Sequence, residues 1–178
     1  MRCFIAFDLP KEIKDYLFEI ENKIRDSNAK INFVAKSRFH GTLKFLGDID
    51  GNLLKEVKER LKKVRFKSFK VRLDKLGIFP NQNYIRVIWI GLKPAGKVIE
   101  LQQKIDSELL DLFKKDQEFS AHLTLGRVKF IKDKKKFLEN LKLKVEDKEF
   151  EINEFKLMKS ELSKDGPNYF EIEKYILT

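Results

Sequence analysis

Two histidines occur in the chain, and each is followed two residues later by a threonine: His40-Gly41-Thr42-Leu43 and His122-Leu123-Thr124-Leu125. Only one other threonine, Thr178, is present, so the matched offset marks a repeated unit rather than a coincidence. The copies stand nearly half the 178-residue chain apart. Such spacing is the signature of a duplication, with one motif carried by each half.

Both motifs read as short apolar strands. Leu43, Phe45 and Leu46 follow the first histidine, and Leu123, Leu125 and Val128 accompany the second, bounded by Gly47 and by the polar run after Phe130. Alternate side chains of a strand share a face. His40 and Thr42 therefore point together, as do His122 and Thr124, while Leu43, Leu123 and Leu125 turn into a core. Each motif presents one imidazole beside one hydroxyl.

An imidazole, with an ordinary pKa of about 6.5, takes or gives a proton near neutral pH. Two imidazoles facing one small site divide that labour, one drawing a proton from a nucleophile and the other supplying one to a leaving oxygen. The arrangement suits phosphodiester chemistry, with threonine hydroxyls donating to phosphate oxygens. No metal and no cofactor is required.

At these residues the chain resembles the two-histidine phosphoesterases, and within them the RNA 2',3'-cyclic phosphodiesterases, also called 2'-5' RNA ligases. Arg2 to Pro10 resembles that family's opening strand, Phe39 to Gly47 its first active-site strand, and Phe119 to Val128 its second. Leu76 to Pro80 with Val87 to Gly91 is similar to its middle, and Ser160 to Tyr169 to its final hairpin. Two positions depart: Gly41 stands where the family more often has Leu, and Ala121 where it often has Pro. The resemblance implies an α+β fold of two pseudo-symmetric lobes, each an antiparallel sheet with helices on the outside, with the active-site cleft between them. It further implies a metal-independent hydrolase that opens a terminal RNA 2',3'-cyclic phosphate to a 2'-phosphate, and an ATP-independent ligase activity from the same site. His40 and His122 are the expected catalytic pair, His122 taken as base and His40 as acid, with the reverse left open. Thr42, Thr124 and Arg127 are expected to hold the phosphate. The alternative from another class is a non-catalytic module that binds a nucleotide or RNA end.

Strict alternation sets Arg127 on the face opposite His122 and Thr124, so its place in the site requires a bulge near Gly126, local twist or a curling side chain. Lys44 shares parity with His40 and Thr42 and is a lesser candidate for phosphate contact. Phe79, Tyr84 and Trp89 are expected in packing rather than against a base.

Helical spacing marks residues 10 to 26, a segment through Leu54, Val57, Leu61 and Val64, residues 97 to 114, and a short helix at Phe137, Leu138 and Leu141. Residues 2 to 9, 69 to 75, 84 to 92, 148 to 158 and 168 to 177 read as strands. Without a linker-like stretch, residues 1 to 178 are expected to form a single bilobal domain. No apolar run approaches a membrane span and the N-terminus enters a strand directly, so a cytoplasmic protein without a membrane partner is expected, acting as a monomer. The lone Cys3 is read as a buried strand residue. A net charge of +10 suits a polyanionic partner. The basic segments 62 to 72 and 132 to 136 are read as solvated surface. Gly91 to Val98 imitates a phosphate loop, but Val98 replaces the hydroxyl that such a loop needs.

Overall fold

The structure, a computed structural model, describes residues 1–26 and 28–178. In chain order the elements are β1 (Arg2–Phe7), α1 (Lys11–Ile24), β2 (Ala29–Phe33), a 3-10 turn (Lys36–Arg38), β3 (Gly41–Asp48), α2 (Gly51–Leu61), β4 (Phe69–Asn81) and β5 (Tyr84–Lys93). They continue as α3 (Ala95–Glu108), β6 (His122–Ile131), α4 (Lys134–Asn140), β7 (Glu149–Ile152), β8 (Glu154–Ser163) and β9 (Gly166–Ile176). The helices form where apolar residues recur every three or four positions, and that stripe is what they bury: Ile13, Leu17, Ile20 and Ile24 on α1, and Val98, Leu101 and Ile105 on α3. Asp50 and Asp133 start α2 and α4 by accepting hydrogen bonds from Leu53 N and Lys136 N.

Two antiparallel sheets result, ordered β3-β1-β8-β9 and β2-β6-β5-β4-β7. The α+β, two-lobed architecture expected from the sequence is the one observed. Each motif strand lies beside the strand that opens its half, β3 beside β1 and β6 beside β5. The halves also exchange strands. β2 and β4, which flank the first motif in sequence, belong to the second motif's sheet, while β8 returns to pair with β1 and carries β9 on its far edge. Neither sheet can therefore form from one half of the chain. Buried side chains of both sheets join one connected apolar core.

Several boundaries differ from the sequence reading, among them the end of β4, read at 75 and found at Asn81. Residues 148 to 158 are two strands, because the chain changes sheets at Asn153, with β7 pairing β4 and β8 pairing β1. The inward residues shift from even positions, Phe150 and Ile152, to odd ones, Phe155 and Leu157. The helix read as 97 to 114 ends at Glu108, and a short edge strand, β2, adds to the strands expected. As expected, Cys3 is buried in β1, where burial pushes its thiol up. Val98 is likewise buried, so the phosphate-loop imitation ends in the core. No described helix is long and apolar enough to cross a membrane.

One buried group works against this core. Glu21 lies on the inward face of α1, its Oε1 has no hydrogen-bond partner among the described residues, and burial pushes its carboxyl up to about 8 from an ordinary 4.5. The folded chain thus holds a proton that the unfolded chain releases above about pH 4.5, so the stability linked to Glu21 is full below that pH and is lost as pH rises through about 8. Thermal midpoints of wild type and Glu21→Gln, measured from pH 4 to 9, are expected to diverge in favour of the variant as pH rises. Parallel curves contradict this placement of Glu21.

Candidate active site

The two motif strands carry the same irregularity at the same place. Along β3, Thr42 pairs with Ala6 and Lys44 with Ile5, so Leu43 is an extra residue. Along β6, Thr124 pairs with Trp89 and Gly126 with Ile88, so Leu125 is an extra residue. A one-residue bulge reverses the alternation beyond it. His122 and Thr124 keep one face, and Arg127 is carried over to join them. The bulge expected near Gly126 is present. Gly126 itself tolerates no side chain, since a Cβ would stand 2.7 Å from Ile31 Cγ2 on β2. At the other end of the first motif, where Gly41 is the counterpart of Leu123, a Cβ would enter the Phe7 ring at 2.0 Å, so Phe7 fills the space that a larger residue would occupy.

His40, Thr42, His122, Thr124 and Arg127 all line one cavity of about 1020 Å³ between the sheets. Its walls also carry Phe45, Arg38, Arg2, Tyr169 and the turn joining β8 to β9. The rings are held alike. Nδ1 of His40 hydrogen bonds to Arg38 O at 2.8 Å, and Nδ1 of His122 to Ser120 O at 2.8 Å. A carbonyl only accepts, so Nδ1 carries the hydrogen in both rings and Nε2 is left for the cavity. In neutral His40 the Thr42 hydroxyl donates to Nε2 at 2.9 Å.

Aromatic side chains enclose both rings. Phe4 and Tyr169 each stand 5.2 Å from His40, and Phe79 and Trp89 stand 5.1 and 6.2 Å from His122, centroid to centroid. Burial accordingly holds both imidazoles below their usual 6.5. Nearby charges differ between them. Asp8 favours the protonated ring at His40, with Lys14 opposing it less strongly, whereas Arg127 disfavours protonation at His122.

Comparison with known proteins places this geometry. The family described as LigT-like phosphoesterase matches the chain twice, over residues 7–89 and 90–169. The chain belongs to that family. A protein of Methanocaldococcus jannaschii named RNA 2',3'-cyclic phosphodiesterase is 40% identical over 178 residues, covering 98% of this chain and all of the relative. One of the same name from Archaeoglobus fulgidus is 32% identical, covering 98% of this chain and 99% of its own length. Among solved structures, TT0787 of Thermus thermophilus superposes with a TM-score of 0.81 at 27% identity, over 99% of this chain and 98% of that one. Escherichia coli LigT complexed with 3'-AMP shares the fold, with a TM-score of 0.80 at 24% identity and coverage of 99% and 98%.

In this LigT-like phosphoesterase, Lys44 does not reach the cavity. The bulge at Leu43 turns it behind the sheet, where its side chain is 1% exposed and Nζ donates to Asp106 Oδ1 at 2.5 Å and Lys114 O at 3.0 Å, with Asp116 Oδ2 at 3.3 Å. Asp106 in turn accepts from Asp116 N at 2.8 Å. Lys44 thus ties the first motif strand to α3 and to the loop that leads to His122. The residue that takes the cavity position is Phe45, 72% exposed, which strict alternation would send to the opposite face. Its offset from His40 equals that of Arg127 from His122, so the rule that pairs the threonines also finds it. Phe79 and Trp89 stack on each other at 4.8 Å beside His122, in keeping with a packing role, and Tyr84 lies exposed beside Arg86. The basic segment 62 to 72 is surface, its Lys62, Lys70 and Arg72 paired with Glu59, Glu149 and Asp147.

Lys44→Met leaves the buried Asp106 carboxylate without its cation. Loss of one partner of a buried pair costs about 3–5 kcal/mol, against well under 1 kcal/mol for an exposed pair. Denaturant unfolding of Lys44→Met is expected to show a loss of that order, and a loss below about 1 kcal/mol contradicts the network.

Proposed function

We propose that the chain is a metal-independent RNA 2',3'-cyclic phosphodiesterase that opens a terminal cyclic phosphate to a 2'-phosphate. The observation that carries the reading is the convergence of two imidazoles, two threonine hydroxyls and one guanidinium on a single cavity. The relatives of that name, alike over nearly the whole chain, support it.

Water, activated by His122 Nε2, attacks phosphorus. The bond from phosphorus to the 3'-oxygen breaks, and Nε2–H of His40 gives that oxygen its proton. The charges around the rings favour this division of roles, since Asp8 supports a protonated His40 and Arg127 a neutral His122. Arg127 and the hydroxyls of Thr42 and Thr124 hold the non-bridging oxygens as negative charge builds. Phe45 offers the terminal base an exposed face to stack on. Where an RNA 5'-hydroxyl replaces water, the same displacement makes a 2'-5' linkage without ATP. Every group in this scheme comes from one chain whose halves exchange strands, which supports reading it as a single bilobal domain; the proposal takes that domain to act as a monomer in the cytoplasm.

His40→Ala and His122→Ala are each expected to lower turnover of a nucleoside 2',3'-cyclic phosphate by at least about 100-fold with the far-ultraviolet spectrum unchanged. Activity is expected to persist in EDTA. Near-normal turnover in both variants, or loss to chelator restored by a divalent ion, contradicts the mechanism. Tight binding of the substrate by wild type without turnover supports the binding-module alternative instead.

The pH profile adds a separate check. One ring must be protonated and the other neutral, so kcat/KM follows a bell centred between their two ionisations. Both lie below 6.5, so the maximum of kcat/KM is expected below pH 6.5. A maximum above pH 7.5 contradicts the desolvated pair.

A further inference from the structure

The cavity exceeds what a terminal nucleotide with a cyclic phosphate needs. At about 1020 Å³ it stands at the upper end of the roughly 300–1,000 Å³ of pockets that enclose a small ligand. Its wall is cationic beyond the group assigned to the reacting phosphate. Besides Arg127 it presents Arg2, Arg38 and Lys164, and Asp165 is its only acidic side chain among the described residues. Arg2 is paired with Asp48 at 3.5 Å. Arg38 and Lys164 line the cavity without a carboxylate partner among the described residues, and Arg38 is held only by a backbone carbonyl.

Arg38 is placed rather than loose. Its Nη1 donates to Asp165 O at 3.0 Å, in the turn between β8 and β9. Ser163 Oγ closes that turn by donating to Gly166 O at 2.7 Å. Gly166 has φ +104, and a Cβ there would stand 2.8 Å from Arg38 Nη1, so the glycine lets the guanidinium lie against the turn. The remaining N–H groups of Arg38 and the ammonium of Lys164 are left for an anion. Tyr169, edge-on to His40, lines the same cavity as Arg38 and Lys164.

We infer that Arg38 and Lys164 form a second phosphate subsite, which takes the 5'-phosphate of the terminal nucleotide, the link to the upstream RNA chain. The inference rests on the cyclic-phosphate reading of the cavity. It makes the substrate the end of an RNA strand rather than a free cyclic mononucleotide, with the gain expressed in KM because the 5'-phosphate keeps its charge and its contacts from ground state to transition state.

Three probes separate the contributions: a nucleoside 2',3'-cyclic phosphate, the same compound bearing a 5'-phosphate, and a dinucleotide ending in the cyclic phosphate. The 5'-phosphate alone is expected to raise wild-type kcat/KM at least about 10-fold through KM, as one charge-assisted hydrogen bond allows. Arg38→Gln and Lys164→Ala are each expected to cut that gain and to weaken its dependence on salt. Lys164 is exposed at the turn, so its variant reads the subsite even where Arg38→Gln loosens the hairpin. No gain from the 5'-phosphate, a gain seen only with the dinucleotide, or a gain intact in both variants overturns the inference. Turnover of none of the three probes is instead a failure of the cyclic-phosphate reading. In that case the affinity of a nucleoside 2'-phosphate with and without a 5'-phosphate still decides the subsite, which requires tighter binding of the doubly phosphorylated compound by wild type than by Lys164→Ala.

Discussion

A single extra residue after each threonine reconciles two demands that an unbroken strand cannot meet. The chain must bury Leu43, Leu123 and Leu125 while sending His, Thr and a further side chain to one cavity, and strict alternation separates Arg127 from His122. The bulges at Leu43 and Leu125 reverse the alternation at the same offset in both lobes. Arg127 and Phe45 then occupy equivalent positions facing the cavity, one a cation for phosphate and the other an apolar face. Lys44 and Gly126 occupy the equivalent positions behind. Lys44 reaches into a buried ionic network there, and Gly126 lets β2 approach. A duplicated scaffold thus acquires an unequal site through the two positions that follow each bulge.

The site spans two sheets, so its geometry depends on what holds the sheets to each other. Strand exchange does so through the backbone, since β4 and β8 each leave the half in which they arise. Lys44 does so through side chains, joining β3 to Asp106 on α3 and to Asp116 in the loop before His122. The hydrogen bond from Arg38, on the segment that leads into β3, to the turn of the β8–β9 hairpin fixes the cavity rim within the first sheet. Backbone carbonyls then fix each imidazole from behind, and enclosure by aromatic rings lowers the cost of keeping a ring neutral.

The parts of this arrangement legible in the sequence are those with strong local signals. Helical spacing locates α1 and α3, and the His-x-Thr repeat gives both motif strands and the face shared by each His–Thr pair. Arg127 is legible as a conflict: its parity is wrong for its expected place, and the conflict points to the bulge. No such conflict marks the first motif, where strict alternation gives Lys44 the cavity parity that belongs to Phe45. The shift of inward positions between Ile152 and Phe155 also stands in the sequence, and it marks the change of sheet at Asn153. Strand exchange and the Lys44 network are beyond reach, because both join residues far apart in sequence through pairings that no local pattern encodes.

All of this converges on the claim that two imidazoles, one from each lobe, serve a single phosphorus. The chain contains no other histidine, so nitrogen-15 spectra of histidine-labelled protein resolve the two rings without ambiguity. Titration with a nucleoside 2'-phosphate is expected to move both Nε2 resonances together and to saturate both at one equivalent of ligand. Movement of one ring alone, or separate saturation of the two, contradicts a shared site.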